Sequence, residues 1–175
     1  MKRSDEDRFT EFVRAYSASL FRTGYLITGD YQRAEDLLQS TWVRLYRRWP
    51  RVEAMERPVG YARKVLVNQA ISWWGRRSSR EAPMLVLNEP EWGGGVDEVT
   101  EHERVWKAVL SLSPRQRAVM VLRYYEDLSE ADIAETLGMA RGTVKSHAHA
   151  AARRLEQLLG EPTATPAQPT EEATS

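Results

Sequence analysis

The segment from residue 61 to residue 80 carries the side chains that an unpaired nucleic-acid strand requires. Tyr61, Lys64 and Asn68 are spaced at i, i+3 and i+7, so a helix places them on one face. The basic end of the segment contains Arg76, Arg77 and Arg80. An aromatic ring stacks on an unpaired base, an amide bonds a base edge, and cations hold the phosphate backbone. The alternative is structural, with Tyr61 and Trp73 in a core and the arginines beside the helix C-terminus.

Residues 128–158 have the pattern of a helix-turn-helix. Ile133 and Leu137 lie on the inner face of a short helix, and Gly138 can adopt the positive φ that a tight turn needs. The next helix shows solvent a polar and basic stripe formed by Arg141, Thr143, Lys145, Ser146, His149 and Arg153. We expect its N-terminal half to lie in a DNA major groove and contact base edges and phosphates. An ordinary helical hairpin with a solvated face is the alternative.

The predicted second helix has more apolar surface than one buried stripe needs. Leu37, Trp42 and Tyr46 fall off its core side, beside the polar residues Asp36 and Gln39. Surplus apolar surface with a charged rim favours a protein partner. The alternative is that these apolar residues pack against the first helix.

Metal and catalytic chemistry find little support in the sequence. His147 and His149 are two residues apart on a helix and therefore point in nearly opposite directions, so they cannot share an ion. The chain has no Cys, which excludes a thiolate zinc site, a Cys nucleophile and a disulfide framework. Because we find no constellation of acid, base and nucleophile, we predict no metal, no cofactor and no enzymatic activity.

The formal net charge of zero conceals a segregation of charge along the chain. Residues 1–80 hold 16 Lys and Arg against 9 Asp and Glu, whereas residues 81–111 hold 2 against 7. Proteins that bind DNA alone are usually strongly basic, because phosphate neutralisation supplies most of their non-specific affinity. If this chain reads DNA, we expect it to do so together with another protein.

Helix start and stop signals predict an all-α fold with two small domains. Asp30 caps the second helix and Pro50 ends it, so three helices form the first domain. Thr100, Ser113 and Ser129 each open a helix of a four-helix second domain. The predicted boundaries are a first domain over 1–80, an acidic linker with Pro and Gly over 81–100, a second domain over 101–160 and a disordered tail over 161–175.

No segment of the sequence resembles a membrane span or a secretion signal. The longest unbroken apolar run, residues 118–122, is far shorter than the ~18 residues that a span needs. The charged start at residues 2–7 has no apolar signal core. We therefore expect a cytoplasmic protein with no membrane partner.

Three segments together resemble the extracytoplasmic-function (ECF) sigma factors, the small two-domain initiation subunits of bacterial RNA polymerase, and among them the actinobacterial SigE-like branch. The resemblance covers roughly residues 5–159. It is carried by Ala34-Glu35-Asp36-Leu37-Leu38-Gln39, by Gly60-Tyr61-Ala62-Arg63-Lys64-Val65-Leu66-Val67-Asn68 through Arg80, and by Leu112-Ser113-Pro114-Arg115-Gln116-Arg117 through Leu155. Each motif alone is weak, but their order and separation are specific.

The resemblance implies a function in promoter recognition. Core polymerase, through its clamp coiled coil and its flap, would be the protein partner, with contacts at Glu35, Asp36, Gln39 and Trp42. The minus-ten element of promoter DNA would be read and opened by Tyr61, Lys64, Asn68, Arg76, Arg77 and Arg80. The minus-thirty-five element would be read by Arg141, Thr143, Lys145, Ser146, His149 and Arg153. The resemblance leaves open whether an anti-sigma factor binds the chain.

The sequence departs from the family pattern at the recognition helix. Ala140 stands where the family often has a capping Ser, and Ala148-His149-Ala150 replaces longer basic or aromatic side chains. Two rival hypotheses remain at this point. One is a stand-alone helix-turn-helix regulator with an unrelated sensory first domain, and the other is a helical interaction protein that never touches nucleic acid.

Overall fold

The computed structural model of the chain describes residues 3–78 and 100–160, and all regular elements in these ranges are helical. The all-α prediction is confirmed. The predicted tail and the predicted linker, except for Thr100, lie outside the described residues, and the domain boundaries remain predictions. The helices are α1 (Arg3–Thr28), α2 (Tyr31–Tyr46), α3 (Trp49–Glu53), α4 (Pro58–Ser78), α5 (Glu101–Leu110), α6 (Pro114–Met120), a π-helical turn (Val121–Tyr125), α7 (Glu130–Leu137) and α8 (Arg141–Leu159).

The first four helices pack around an aromatic core. Phe9 and Phe12 of α1 contact Trp49 with ring centroids 5.1 and 5.0 Å apart. Trp49 was expected on the second helix, with Pro50 as its end. Instead α2 ends at Tyr46, and Pro50 lies in the first turn of α3. The fixed φ of proline suits a first turn, so Pro50 helps to start the short α3, an additional helix, where we expected only a stop.

We call residues 3–78 the first half and residues 100–160 the second half. The predicted start and stop signals of the second half are confirmed. Thr100 and Ser113 each form a capping box, in which the side chain and backbone of the cap bond reciprocally to the third helical residue. Ser129 accepts a hydrogen bond from the backbone of Asp132 at the start of α7. Gly138 ends α7 in the left-handed conformation with φ 62°. Ser129 and Gly138 thus bound α7, the first helix of the helix-turn-helix.

The two halves share one hydrophobic core. Its buried members include Ile27, Leu66, Val67 and Ala70 of the first half and Val119, Leu122, Ile133 and Val144 of the second. Helix α4 contacts both α6 and α7, and α1 also contacts α6. The helix-turn-helix therefore packs directly against the helix that carries Asn68.

At Gly29 the first half lies close to Leu110 of the second half, and replacing Gly29 tests that packing. Its φ is 71°, and a Cβ at this position would lie 2.5 Å from Leu110 Cδ2. We expect Gly29→Ala to lower the free energy of unfolding by about 1–3 kcal/mol, because an alanine at this positive φ is strained and the Leu110 side chain must shift to admit its Cβ. Urea denaturation measures this change.

Gly75→Ala is the matched control, since a Cβ at Gly75 in α4 meets nothing within 4 Å. Alanine favours a helix over glycine, so the control should leave the stability unchanged or raise it by about 0.5–1 kcal/mol. Equal effects of the two substitutions would contradict the described contact between Gly29 and Leu110.

Candidate nucleic-acid interface

A surface cavity of about 590 Å³ lies between α2 and α4 and collects the residues of the first predicted motif. Tyr61, Lys64 and Asn68 all line it, as their spacing predicts. Cations from both helices surround it, namely Arg33, Arg44, Lys64 and Arg76. We call this site the α2/α4 cavity. An aromatic side chain, an amide and several cations therefore meet in one concave site.

An arginine that the sequence analysis missed forms one wall of the α2/α4 cavity. The guanidinium of Arg33 lies over the ring of Trp73, 4.3 Å from its centroid. Trp73 is half-buried and lines the cavity. Stacked arginine and tryptophan planes are surfaces on which nucleobases stack. No local sequence signal joins these residues, because they are 40 positions apart.

A hydrogen-bond network fixes α2 against α4 below the cavity. Ser40 Oγ donates to Gln69 Oε1 over 2.6 Å, and Gln69 Nε2 donates to Thr41 Oγ1 over 3.0 Å. Thr41, which is fully buried, donates in turn to the carbonyl of Leu37 over 2.8 Å. Because each step is satisfied within the protein, the network holds the cavity walls at a fixed separation.

Asn68 is half-buried and already hydrogen-bonded. Its Nδ2 donates to the carbonyl of Lys64, one turn earlier, and to the carbonyl of Thr136 in α7, both over 2.8 Å. Of the basic residues predicted to follow it, Arg76 is exposed and lines the cavity. The Arg77 side chain and the whole of Arg80 lie outside the described part of the chain.

The predicted polymerase-docking face is only partly as expected. Asp36 and Gln39 are exposed and Glu35 is half-exposed on α2. The prediction was wrong for Leu37, which is buried at 6% exposure, because α2 contacts α4 as well as α1. Trp42 packs edge-on against two phenylalanine rings of α1. The exposed apolar and aromatic residues in this region are Tyr16, Tyr31, Val43 and Tyr46.

The predicted recognition stripe is exposed along α8. All six of its residues, Arg141, Thr143, Lys145, Ser146, His149 and Arg153, are solvent-exposed. Val144 and Ala151 are buried on the opposite face. Leu158, in the last turn of the helix, is 40% exposed. Ala140 gives α8 no side-chain cap, as its identity predicts.

Electrostatic contacts restrain the stripe only weakly. Lys145 Nζ lies 3.8 Å from a carboxylate oxygen of Glu130, and the Lys145 side chain is 70% exposed. Exposed ion pairs of this kind contribute little to stability, so Lys145 can exchange its partner for a phosphate. Ser146 donates to the carbonyl of Gly142. A shallow groove further along the helix is lined by Ser146, His149 and Arg153 together with Arg154.

The sequence analysis also missed a buried arginine at the junction of the halves. Arg117 of α6 is 2% exposed, and burial lowers its pKa to about 10, which leaves it charged at neutral pH. Its guanidinium donates to the carbonyl of Ile27 in the first half and to the carbonyls of Leu110 and Leu112 in the second. A surface-like sequence context, Pro-Arg-Gln-Arg, gave no signal of this burial.

Within the described ranges, no group of three or more metal-ligating side chains stands close enough together to hold an ion. The helices described here include none with the length and hydropathy that a membrane span requires.

Family models match both halves of the chain. The model for sigma-70 region 2 matches residues 12–80, and the model for sigma-70 region 4 matches residues 102–155. The RNA polymerase sigma-E factor of Streptomyces coelicolor is 34% identical over 151 residues, which are 86% of this chain and 85% of that protein. The ECF RNA polymerase sigma factor SigL of Mycobacterium tuberculosis is 31% identical over 83% of this chain and 85% of its own length.

A solved structure shares the fold. The sigma factor RpoE of Bartonella quintana, crystallised with the anti-sigma factor NepR, superposes with a TM-score of 0.70. The match covers 87% of this chain and 97% of RpoE at 24% sequence identity.

An all-helical chain with a basic cavity in its first half and a helix-turn-helix in its second has the organisation of a transcription initiation factor. The chain belongs to the sigma-70 family and is an ECF-type RNA polymerase sigma factor. The hypothesis of a stand-alone regulator is therefore wrong, because the half that it assigned to an unrelated sensory domain matches sigma-70 region 2.

Proposed function

We propose that the chain binds core RNA polymerase, reads the minus-thirty-five element with α8, and reads and opens the minus-ten element with the α2/α4 cavity. The observation that carries this proposal is the cavity itself, where Tyr61, Lys64 and Asn68 meet among cations of two helices. That combination suits a base that has left the duplex.

The cavity supplies a physical reason for strand opening. Extruding a base from the duplex costs a few kcal/mol in lost stacking and pairing. An aromatic ring and the stacked pair of Arg33 and Trp73 offer planes against which an extruded base can stack. Because only an unpaired base reaches these surfaces, binding there favours the open strand. Asn68 would add hydrogen bonds that distinguish one base from another once its amide leaves the carbonyl of Thr136.

The exposed stripe of α8 is proposed to read duplex DNA upstream. The first turns of α8 carry Thr143, Lys145 and Ser146, and the opposite face of the helix is buried. The exposed stripe can therefore enter a major groove while the helix stays packed against the protein. Arg141 and Arg153 extend the contact toward the flanking phosphates. The two halves of the chain would thus recognise two separate promoter elements.

The polymerase contact is proposed on α2, at Glu35, Asp36, Gln39 and Trp42, extended by the exposed apolar residues beside them. Of these, Val43 is 53% exposed and Tyr46 is 43% exposed, which suits a protein interface. Catalysis would stay with the polymerase, and its cytoplasmic location would be shared by this chain. RpoE of Bartonella quintana was solved with an anti-sigma factor, and we propose a partner of that class here as well.

Run-off transcription tests docking, recognition and opening together. The purified chain is added to core polymerase from Streptomyces coelicolor and a library of promoter fragments, and transcripts are sequenced. We expect a defined subset of promoters to give transcripts only when the chain is present. A size-exclusion run of the same mixture shows whether the chain co-elutes with core polymerase. Co-elution without transcripts would confine the function to docking. A failure to co-elute would contradict the proposal as a whole.

Asn68→Ala tests the proposed base contact. We expect the variant to lose about 1–3 kcal/mol of discrimination at one minus-ten base, because a bidentate amide contact is removed. The measurement is the base preference of each promoter position in the run-off library. Gln32→Ala, an exposed amide on α2 outside the cavity, is the control and should keep the preferences of the parent chain. Unchanged preference in the Asn68 variant would assign that residue a structural role.

Lys145→Ala tests the upstream contact. We expect weaker binding of holoenzyme to a fragment with the minus-thirty-five element and a salt slope that is reduced by about 1, because one phosphate contact is lost. Affinity is measured at several salt concentrations. Lys107→Ala removes the same charge from α5 and should retain the parent slope. Equal slopes for both variants would show that Lys145 contacts no phosphate.

A further inference from the structure

The basic surface of α8 is displaced toward the C-terminal half of the helix. Ala148 and Ala150 flank His149 in the stretch where the family often has longer basic or aromatic side chains. Ala148 is half-buried and Ala150 is exposed, so neither position offers solvent a cation. The next basic residues are Arg153 and Arg154, both exposed and about one helical turn further along. The middle of α8 therefore lacks cations that its later turns possess.

A shallow groove lies beside these two arginines, between the start of α6 and one flank of α8. We call it the α6/α8 groove, and it is lined by Ser146, His149, Arg153 and Arg154 on α8 and by Ser111 and Gln116 across from them. The lining positions of α8 are spaced at i, i+3, i+7 and i+8, which share one face of a helix. From Ser146 to Arg154 this face runs about 12 Å, at about 1.5 Å per residue.

The charges of the α6/α8 groove suit an anion. The described residues that line it include two arginines and no carboxylate, whereas Asp36 lines the α2/α4 cavity. Within the described ranges no acidic side chain forms an ion pair with Arg153 or Arg154. Neither arginine lies in the last turn of α8, where a cation would interact with the helix dipole. Unlike Lys145, both can bind an external anion without leaving a carboxylate of the described structure.

Gln116 is held in place on the opposite wall of the groove. Its Oε1 accepts a hydrogen bond from the backbone N–H of Ser113 over 3.2 Å, as part of the capping box of α6. Because the oxygen is engaged in the cap, the Nε2 group is the part of this amide that can donate to a ligand. Side-chain amides are among the groups that contact phosphates in complexes with DNA. An amide donor and two cations therefore line the same groove.

The dimensions of DNA place a phosphate backbone at this flank of α8. A major groove is about 12 Å wide, and an α-helix with its side chains has a diameter of about 10–12 Å. A recognition helix therefore fills the groove, and the backbones of the two strands lie along its flanks. The α6/α8 groove follows one flank from Ser146, to which the proposed function assigns contact with duplex DNA, as far as Arg154.

We propose that the α6/α8 groove holds a phosphate backbone of the minus-thirty-five duplex, and that Arg154 and Gln116 are further contact residues on its two walls. This inference rests on the proposed function, in which α8 lies in the major groove. The two arginines supply at the edge of the duplex the positive charge that Ala148 and Ala150 do not supply in the middle of the helix. Phosphate contacts fix the register of α8 and add affinity, but they read no base.

Arg154→Ala tests the cationic wall. We expect the variant holoenzyme to bind a fragment with the minus-thirty-five element at least roughly threefold more weakly, with a salt slope reduced by about 1 and unchanged base preferences. Affinity is measured at several salt concentrations, and preferences come from the run-off library. Lys107→Ala, which removes the same charge from α5 outside the groove, is the control and should retain the parent affinity and slope.

Neutral phosphates locate the contact on the DNA. A methylphosphonate keeps the backbone but removes the charge of a single phosphate. In a series of fragments with one such substitution each, we expect a position at which the parent holoenzyme loses affinity and the Arg154 variant loses no more. That coupling between a side chain and a phosphate is the signature of a direct contact. Purely additive losses at every position would overturn the proposed site.

Gln116→Glu tests the opposite wall without removing the cap. Glutamate forms the same capping box, so the free energy of unfolding should stay unchanged, but a carboxylate replaces the amide donor and repels a phosphate. We expect this variant to bind the fragment at least roughly threefold more weakly than Gln32→Glu, which adds the same charge at an exposed position of α2. Equal affinities of the two variants would show that Gln116 contacts no phosphate.

The outcomes separate this inference from the proposed function. If the parent holoenzyme does not prefer the minus-thirty-five fragment over a scrambled one, the proposed function itself is contradicted. If the parent is selective and the Arg154 and Lys107 variants bind alike, the phosphate site is overturned and the proposed function stands. A change of preference at one base in the Arg154 variant would assign Arg154 to base reading and would overturn the backbone contact as well.

Discussion

One buried cation links the two halves of this sigma factor. Arg117 lies where the C-terminal end of α1 meets the end of α5, and it donates to carbonyls of both. Helix C-termini carry partial negative charge and unsatisfied carbonyls, so a guanidinium between two of them is stabilised without a carboxylate. Its remaining Nε has no hydrogen-bond partner among the described residues. The cation of the second half thus takes one of its hydrogen-bond partners from the first half, which links the positions of the two.

This arrangement gives α4 two environments in one structure. One side of the helix forms the α2/α4 cavity, where the network of Ser40, Gln69 and Thr41 fixes the walls. The other side meets α7 and the shared core. Tyr61, Lys64 and Asn68 lie at the boundary, which is why the same residues line the proposed base site and contact or face the second half. The proposed recognition and the packing of the two halves therefore involve the same residues.

Local rules recovered much of this structure from the sequence. The caps at Thr100, Ser113 and Ser129 and the left-handed Gly138 depend on neighbours within a few residues, and helical spacing alone brought Lys64 and Asn68 to one face. The π-helical turn at Val121–Tyr125 and the short α3 were not expected, because small changes in backbone hydrogen bonding leave no clear pattern in side-chain periodicity. The burial of Leu37 and Arg117 was missed for another reason. Hydrophobic periodicity shows that a helix has an apolar face, but it does not show which distant helix will cover that face.

The shared hydrophobic core has a thermodynamic consequence for the open form. Separation of the halves would bring side chains such as Val67 and Ile133 into water, at a cost of roughly 25 cal/mol for each Å² of apolar surface uncovered. An isolated open chain would thus be prone to self-association, and a macromolecule that covers the uncovered surface would shift the equilibrium by mass action. The concentration of available polymerase, together with the cost of uncovering this core, would then set how much of this protein is competent to start transcription.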